Sequence, residues 1–177
     1  DLDVKYLDDV SLLIYQKPAA TLKTSVYILS LKSKQLNLKY NDYGITAIGY
    51  KGKFMYSSVS NTYTESAGQK VKRYNNTIVS DKCSIASSAA YAICANPKDL
   101  NSVNLPDDWY DYSYYTNDNL VLYGLDYEEY NTLLDLSLAS GAAFDVDSVS
   151  ISNNSNYVGL SNRYGSLYVF NLGAASN

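Results

Sequence analysis

Asp107, Asp108 and Asp111 surround Trp109, and a second acidic group, Asp126, Glu128 and Glu129, follows further along the chain. Two carboxylates set across a sugar ring are what a glycosidase uses, one as acid and one as base or nucleophile. The rest of the sequence argues against that chemistry. The chain has no His, so Ser-His-Asp and Cys-His arrangements are impossible, and the commonest general base near neutral pH is missing. Glu128 and Glu129 are accounted for by the positive end of a helix opening at Asp126. "PDDWYDYSYYTNDN" reads as an exposed loop whose acids are solvated, and no Gly-rich phosphate loop occurs. We therefore expect a protein that is not an enzyme and has no catalytic residues.

Binding is better represented. Asp145 and Asp147, with Asn153 or Asn154 nearby, offer hard oxygens suited to calcium, although their spacing is not that of an EF-hand. No other cofactor is expected. Trp109, Tyr110, Tyr112, Tyr114 and Tyr115 form an aromatic stretch that could stack on sugars or on a partner protein. The same alternation also suits a strand carrying Tyr110, Tyr112 and Tyr114 on one face. Asn75 and Asn153 each open an Asn-x-Ser/Thr sequon, an acceptor for glycans in a secreted protein.

The two cysteines, Cys83 and Cys94, bound the stretch "CSIASSAAYAIC". Drawn as a helix, it would hold the two Cα atoms about 16 Å apart, at about 1.5 Å of rise per residue. A disulfide needs roughly 4.4 to 6.8 Å. A hairpin turning at Ser88-Ala89 instead sets Cys83 opposite Cys94 and Ile85 opposite Ala92. Two buried thiols on a helix and a bridged hairpin are thus exclusive alternatives. With no His to complete a zinc site and no Cys-x-x-Cys motif, we expect the bridge and an extracellular or cell-surface setting.

Composition agrees with a folded protein of one domain over residues 1–177, with 46% hydrophobic residues and 20 Tyr. No apolar run approaches the roughly 18 to 20 residues needed to span a bilayer. The chain begins at Asp1 rather than Met, which we read as trimming of a longer precursor. Residues 1–82 hold 12 Lys/Arg against 7 Asp/Glu, whereas residues 83–177 hold 2 against 11. The overall balance of −4 argues against a nucleic-acid partner. The asymmetry between halves would let copies stack head to tail, unless the two halves intermix in one sheet.

The elements that must position these groups can be drafted from periodicity. Residues 1–17 are ambiguous between strand and helix and end at Pro18. Leu22, Val26, Leu29, Leu36 and Tyr40 fall on a three-four spacing, so "LKTSVYILSLKSKQLNLKYNDYG" reads as an amphipathic helix stopped at Gly44. "GITAIGY" and "KFMYSSVS" flank Lys51-Gly52 as a tight hairpin. Residues 60–76 are polar and loop-like. "LDYEEYNTLLDLSLASG" reads as a capped helix from Asp126, with Leu133, Leu134 and Leu138 facing inward and Gly141 ending it. Residues 146–172 read as a three-stranded meander with Asn/Gly turns.

An amphipathic helix ending in "VYILSLKSKQLNLKYNDYG", then antiparallel strands, a cysteine pair with "AYAICANP" and a final meander resembles the soluble domain of a type IV pilin or pseudopilin. The resemblance implies an exported, often disulfide-bonded subunit whose long helix lies across an antiparallel sheet and packs in a filament core. The expected fold class is accordingly α+β, an antiparallel sheet made of a hairpin and a C-terminal meander, with one amphipathic helix across it and a second short helix. The expected function is a non-enzymatic structural or adhesive subunit of a surface filament that associates with itself. One alternative is another fibre or capsid protein in which residues 1–18 form an exchanging strand or assembly arm. The other is a secreted carbohydrate- or protein-binding module using Trp109 and its neighbouring Tyr residues on surface glycans or proteins.

Overall fold

Tight turns set the architecture of this chain. A computed structural model describes residues 2–99 and 104–172, apart from the side chain of Val71. At Lys51-Gly52 both residues take positive φ, 49° and 75°, the left-handed pair that matches the twist of a two-residue hairpin. Ala67-Gly68 repeats the device at 50° and 81°. Such turns return each strand beside its predecessor, and the result is four successive antiparallel meanders.

The first meander comprises β1 (Leu2–Asp8), β2 (Ser11–Gln16), β3 (Lys23–Ser30) and β4 (Leu36–Tyr43). The second comprises β5 (Thr46–Tyr50), β6 (Lys53–Ser57), β7 (Thr62–Ser66) and β8 (Gln69–Tyr74). A single 3-10 turn, Ser80–Lys82, leads into the third, with β9 (Cys83–Ile85), β10 (Tyr91–Pro97), β11 (Asp118–Gly124) and β12 (Tyr130–Asp135). The fourth has β13 (Val146–Ile151), β14 (Tyr157–Asn162) and β15 (Leu167–Asn171). Two short helices, α1 (Asp107–Tyr110) and α2 (Leu136–Ser140), sit in the connections. None of the described helices is long and apolar enough to cross a membrane.

Each meander is a blade, and the hydrophobic cores lie between blades. Leu13, Tyr15 and Val26 of the first pack on Ala47, Phe54 and Tyr56 of the second. Ile48, Met55 and Tyr74 of the second meet Cys94, Val121 and Tyr123 of the third. Ile93, Ala95 and Leu120 of the third meet Val149, Val158 and Leu160 of the fourth. Period-two alternation thus sends Ile93 and Cys94 into different cores, which is why β10 is buried on both faces. The first strands of the blades, β1, β5, β9 and β13, neighbour one another in that order. Blades stacked side by side with their first strands at a hub are the architecture of a β-propeller.

This overturns the α+β reading and the pilin resemblance. The stretch assigned to a spine helix is β3 and β4, joined by a turn in which Lys34 takes φ 57°. Thr24, Val26 and Ile28 alternate with Tyr27 and Leu29, so the three-four spacing of apolar residues was a by-product of two apolar faces. β-branched residues at Thr24, Val26 and Ile28 favour the pleated surface over a helix. Leu22 and Leu36, expected in a helix core, are exposed. The second expected helix keeps only its last turn. Residues 130–135 form β12, and the cap is Asp135, whose carboxylate accepts from the Leu138 amide at 3.1 Å. Gly141 does end the turn, at φ 74°, but Leu138 and Leu133 are exposed rather than inward. Asp126 and Glu128 pair instead with Lys53 and Lys72 of the second blade. The polar stretch 60–76 contains β7 and β8, with Thr62 and Thr64 buried.

Other expectations agree with the structure. The Lys51-Gly52 hairpin and the C-terminal meander are present. Cys83 pairs with Cys94 and Ile85 with Ala92 across the hairpin, and the two sulfurs form a disulfide at a Cα separation of 4.1 Å.

Candidate functional site

The first strands of all four blades contribute to one open pocket of about 550 Å³, through Lys5, Ile48, Cys83 and the pair Asp147 and Ser148. The long connection between β10 and β11 closes over one side and brings in Trp109, Tyr110 and Tyr112. Arg163, from the β14–β15 turn, completes the lining. That connection is tied down at several points. The Asp107 carboxylate accepts from the Ala20 amide at 2.8 Å, the Asp108 carboxylate accepts from the Asn104 amide at 2.8 Å, and Asp111 lies 3.8 Å from Lys17. Each acid beside Trp109 therefore has a partner that helps to tie down the loop that carries it.

Beneath the pocket lies a buried ionic cluster. Lys82, wholly buried, donates to Asp118 Oδ2 at 2.8 Å, to Asp145 Oδ1 at 2.7 Å and to Thr116 Oγ1. Asp145 Oδ1 also accepts from Thr116 Oγ1 at 2.7 Å and from Trp109 Nε1 at 3.2 Å. Burial pushes the Asp118 carboxyl above its ordinary range, against the opposing pull of Lys82 and the Val146 amide. The cluster joins the third and fourth blades to the turn that precedes β9.

Arg163, with Trp109, carries this cluster to the pocket. Its side chain is 2% exposed, and its Nε lies 3.5 Å from Asp145 Oδ2 without hydrogen-bond geometry. One terminal nitrogen, Nη2, donates to the Trp109 carbonyl. The guanidinium carbon sits 4.2 Å from the Trp109 ring centre and 4.3 Å from that of Tyr112. Cation–π contact with these rings stabilises the cation in place of water. Nε and Nη1 nevertheless find no hydrogen-bond acceptor among the described residues, an unusual state for a buried guanidinium.

Outside Arg163 the aromatic segment becomes a ledge. Tyr112 is 62% exposed, and Tyr115 stacks on Tyr164 at 6.0 Å and 2° between ring planes. On the far side of the pocket, Asp81 accepts from Lys5, from Tyr110 at 2.6 Å and from Tyr15 at 3.4 Å. Burial opposes its charge, but Lys5 and the two phenols outweigh that, and the carboxyl is held below its ordinary value. Burial and the adjacent Asp81 charge push the Tyr110 phenol well up.

The expected site residues thus separate. Trp109 and Tyr110 go largely inward and form the floor, with Trp109 packed on Val79 and Leu105. Tyr112 faces out over Arg163, whereas Tyr114 is turned away and donates to the Asp99 carbonyl at 3.1 Å. Asp145 and Asp147, the expected calcium pair, are divided. Asp145 is buried against Lys82 and Arg163, while Asp147 is exposed at the pocket. No cluster of three or more His, Cys, Asp or Glu that could hold a metal occurs among the described residues. Asn75 and Asn153 are both exposed, on a bend after β8 and on the β13–β14 turn. Sequence reasoning missed Lys82, Arg163 and Asp81. The available signal was Arg163 itself, one of two cations among eleven acids in residues 83–177.

Four stacked meanders with a pocket where their first strands converge define the β-propeller class. The chain is similar to Hsv2p of Kluyveromyces lactis, with a TM-score of 0.60 at 12% identity, over 97% of this chain and 50% of that one. It is also similar to the β-propeller domain of the Trilobed protease from Pyrococcus furiosus, described as having an open velcro topology. There the TM-score is 0.56 at 7% identity, over 97% of this chain and 55% of that one. The chain therefore spans about half the length of these propellers. No protein-family model matches the sequence, nor does any curated protein sequence. These likenesses carry the fold alone, and they replace the pilin and filament reading.

Proposed function

We propose that this chain is a non-enzymatic carbohydrate-binding module whose ligand sits in the hub pocket against Tyr112. The observation that carries the reading is the exposed Tyr112 ring laid on a buried Arg163 at the rim of a 550 Å³ pocket. An aromatic face offers apolar area to the C–H face of a sugar ring. Around it, Asp81, Asp147, Ser148 and Ser80 supply polar groups suited to hydroxyls. The Cys83–Cys94 bridge supports an extracellular or cell-surface setting.

A glycan array probed with the purified chain and with Tyr112→Ala tests this. Tyr112 is exposed, so its removal leaves the cores intact. The wild-type chain is expected to retain a defined set of glycans, and Tyr112→Ala to bind them at least about tenfold more weakly, a loss of roughly 1.4 kcal/mol. A wild-type chain that retains none, or a variant that binds as well, removes the proposal.

A further inference from the structure

The aromatic surface does not end at the pocket. Beyond its rim, Tyr115 and Tyr164 hold their rings parallel, and they are 52% and 71% exposed. Arg163 joins this pair to the pocket. Its guanidinium carbon lies 4.3 Å from the Tyr112 ring centre and 5.9 Å from that of Tyr115, and Tyr164 is the next residue in the chain. Three exposed phenol rings are thus gathered about one buried cation, on a ledge that starts at the pocket and runs out past it.

The fold does not call for the outer pair. Tyr164 sits in the β14–β15 turn, which closes without its side chain. Asn162 Oδ1 accepts from the Tyr164 amide at 3.1 Å and from the Ser166 amide at 2.9 Å, and Gly165 takes φ 82°. Neither Tyr115 nor Tyr164 belongs to any of the hydrophobic cores among the described residues. Adjoining exposed rings without a packing duty, continuous with a pocket, are a surface for a ligand.

The pocket itself narrows the kind of ligand. At about 550 Å³ it lies in the range that takes a ligand of drug size, larger than one sugar ring. The charged groups of its lining balance, Lys5 and Arg163 against Asp81 and Asp147, so it gives no net attraction to an anion or a cation.

Building on the carbohydrate reading above, we propose that the ligand is a neutral oligosaccharide rather than a single sugar, with one unit against Tyr112 and a later unit against the Tyr115–Tyr164 pair. The apolar faces of the rings take the C–H faces of the sugars, and the phenol hydroxyls can donate to and accept from sugar hydroxyls. A unit on the outer pair adds to the unit on Tyr112 only when a single chain spans both, because the second contact is then intramolecular. Affinity therefore rises with chain length and levels off once both places are filled.

Calorimetric titration with successively longer fragments of a glycan retained on the array tests this. Affinity is expected to rise about tenfold or more between the shortest fragment that binds and the length that spans both places. Tyr164→Ala is expected to remove most of that gain and leave the shortest fragment unchanged, while Tyr164→Phe, which keeps the ring, retains it. Tyr115→Ala is expected to act as Tyr164→Ala does. Affinity independent of length overturns the proposal, as does a Tyr164→Ala chain that keeps the full gain or that weakens every length equally. If Tyr112→Ala still weakens those fragments in such a case, the carbohydrate reading stands without the extension. Retention of acidic glycans alone overturns the neutral assignment, and a chain that retains no glycan removes both.

Discussion

Replacing Lys82 with Met costs about 3–5 kcal/mol of unfolding free energy at neutral pH, read as a shift in the urea midpoint. The side chain is fully buried and holds two buried carboxylates, Asp118 at 2.8 Å and Asp145 at 2.7 Å. Met fills most of the volume but leaves Asp118 without its cation and Asp145 with Arg163 alone, and an unpaired buried charge is far costlier than an absent pair. The pH dependence supplies a second reading. Asp118 already has its folded pKa raised above the ordinary 3.8 by burial. A carboxyl raised in the folded state weakens folding as pH climbs from its unfolded value through its folded one. Removing Lys82 raises that folded value further, so the deficit of the variant is expected to shrink as pH falls back toward 3.8. Lys82→Met combined with Asp118→Leu and Asp145→Asn recovers part of the loss. A Lys82→Met variant as stable as the wild type at pH 7 would mean that the cluster is not buried as described.

Removing the Cys83–Cys94 bridge is the second large expected effect. The sulfurs close a loop of sequence separation 11, which the chain-entropy account values at about 2.5–3 kcal/mol. The location adds to this. Cys94 is fully buried, its sulfur 3.7 Å from that of Met55, in the core between the second and third blades. Cys83→Ala with Cys94→Ala therefore also loses packing atoms, whereas reduction of the wild type loses only the cross-link. Urea midpoints are expected to fall in the order oxidised, reduced, double alanine. Equal midpoints for the oxidised and reduced chain would mean that the bridge does not constrain the unfolded state.

The features legible in the sequence were those written in local chemistry. Lys51-Gly52, the Asn-rich turns near 153 and 163, and the Cys spacing all specify hairpins without reference to the rest of the molecule. Helix and strand were confused where both faces are apolar. In β3, Val26 and Ile28 serve the core while Tyr27 and Leu29 serve the outer face, and two period-two patterns overlaid resemble a helical stripe. The stretch 60–76 misled for the opposite reason, because Thr and Tyr carry strands without looking hydrophobic. The blade repeat itself was hidden, since blades start unevenly at Leu2, Thr46, Cys83 and Val146. The long loop that carries Trp109 and Tyr112 is inserted within the third of them.

The site was half legible for a related reason. The aromatic segment was visible as composition, but its partition into a floor (Trp109, Tyr110) and a ledge (Tyr112, Tyr115) depends on Arg163, which is 54 residues from Trp109. Asp145 looked like a metal ligand because acids near Asn residues suggest hard-oxygen coordination. Lys82, a cation 63 residues away, instead occupies its carboxylate. Contacts of that separation leave no local signature.

The central claim is that ligand meets the protein at the Tyr112 ring, whose other face lies on Arg163. The chain has two Arg residues, so its side-chain Nε–H spectrum contains two resonances. Arg73 serves as the internal reference, in the second blade, where its Nε donates to Asn61 at 2.9 Å. Titration of the 15N-labelled chain with a glycan retained on the array is expected to shift the Arg163 resonance progressively and saturably while Arg73 stays fixed. A titration in which the glycan binds but Arg163 does not move, or only Arg73 does, would contradict the account.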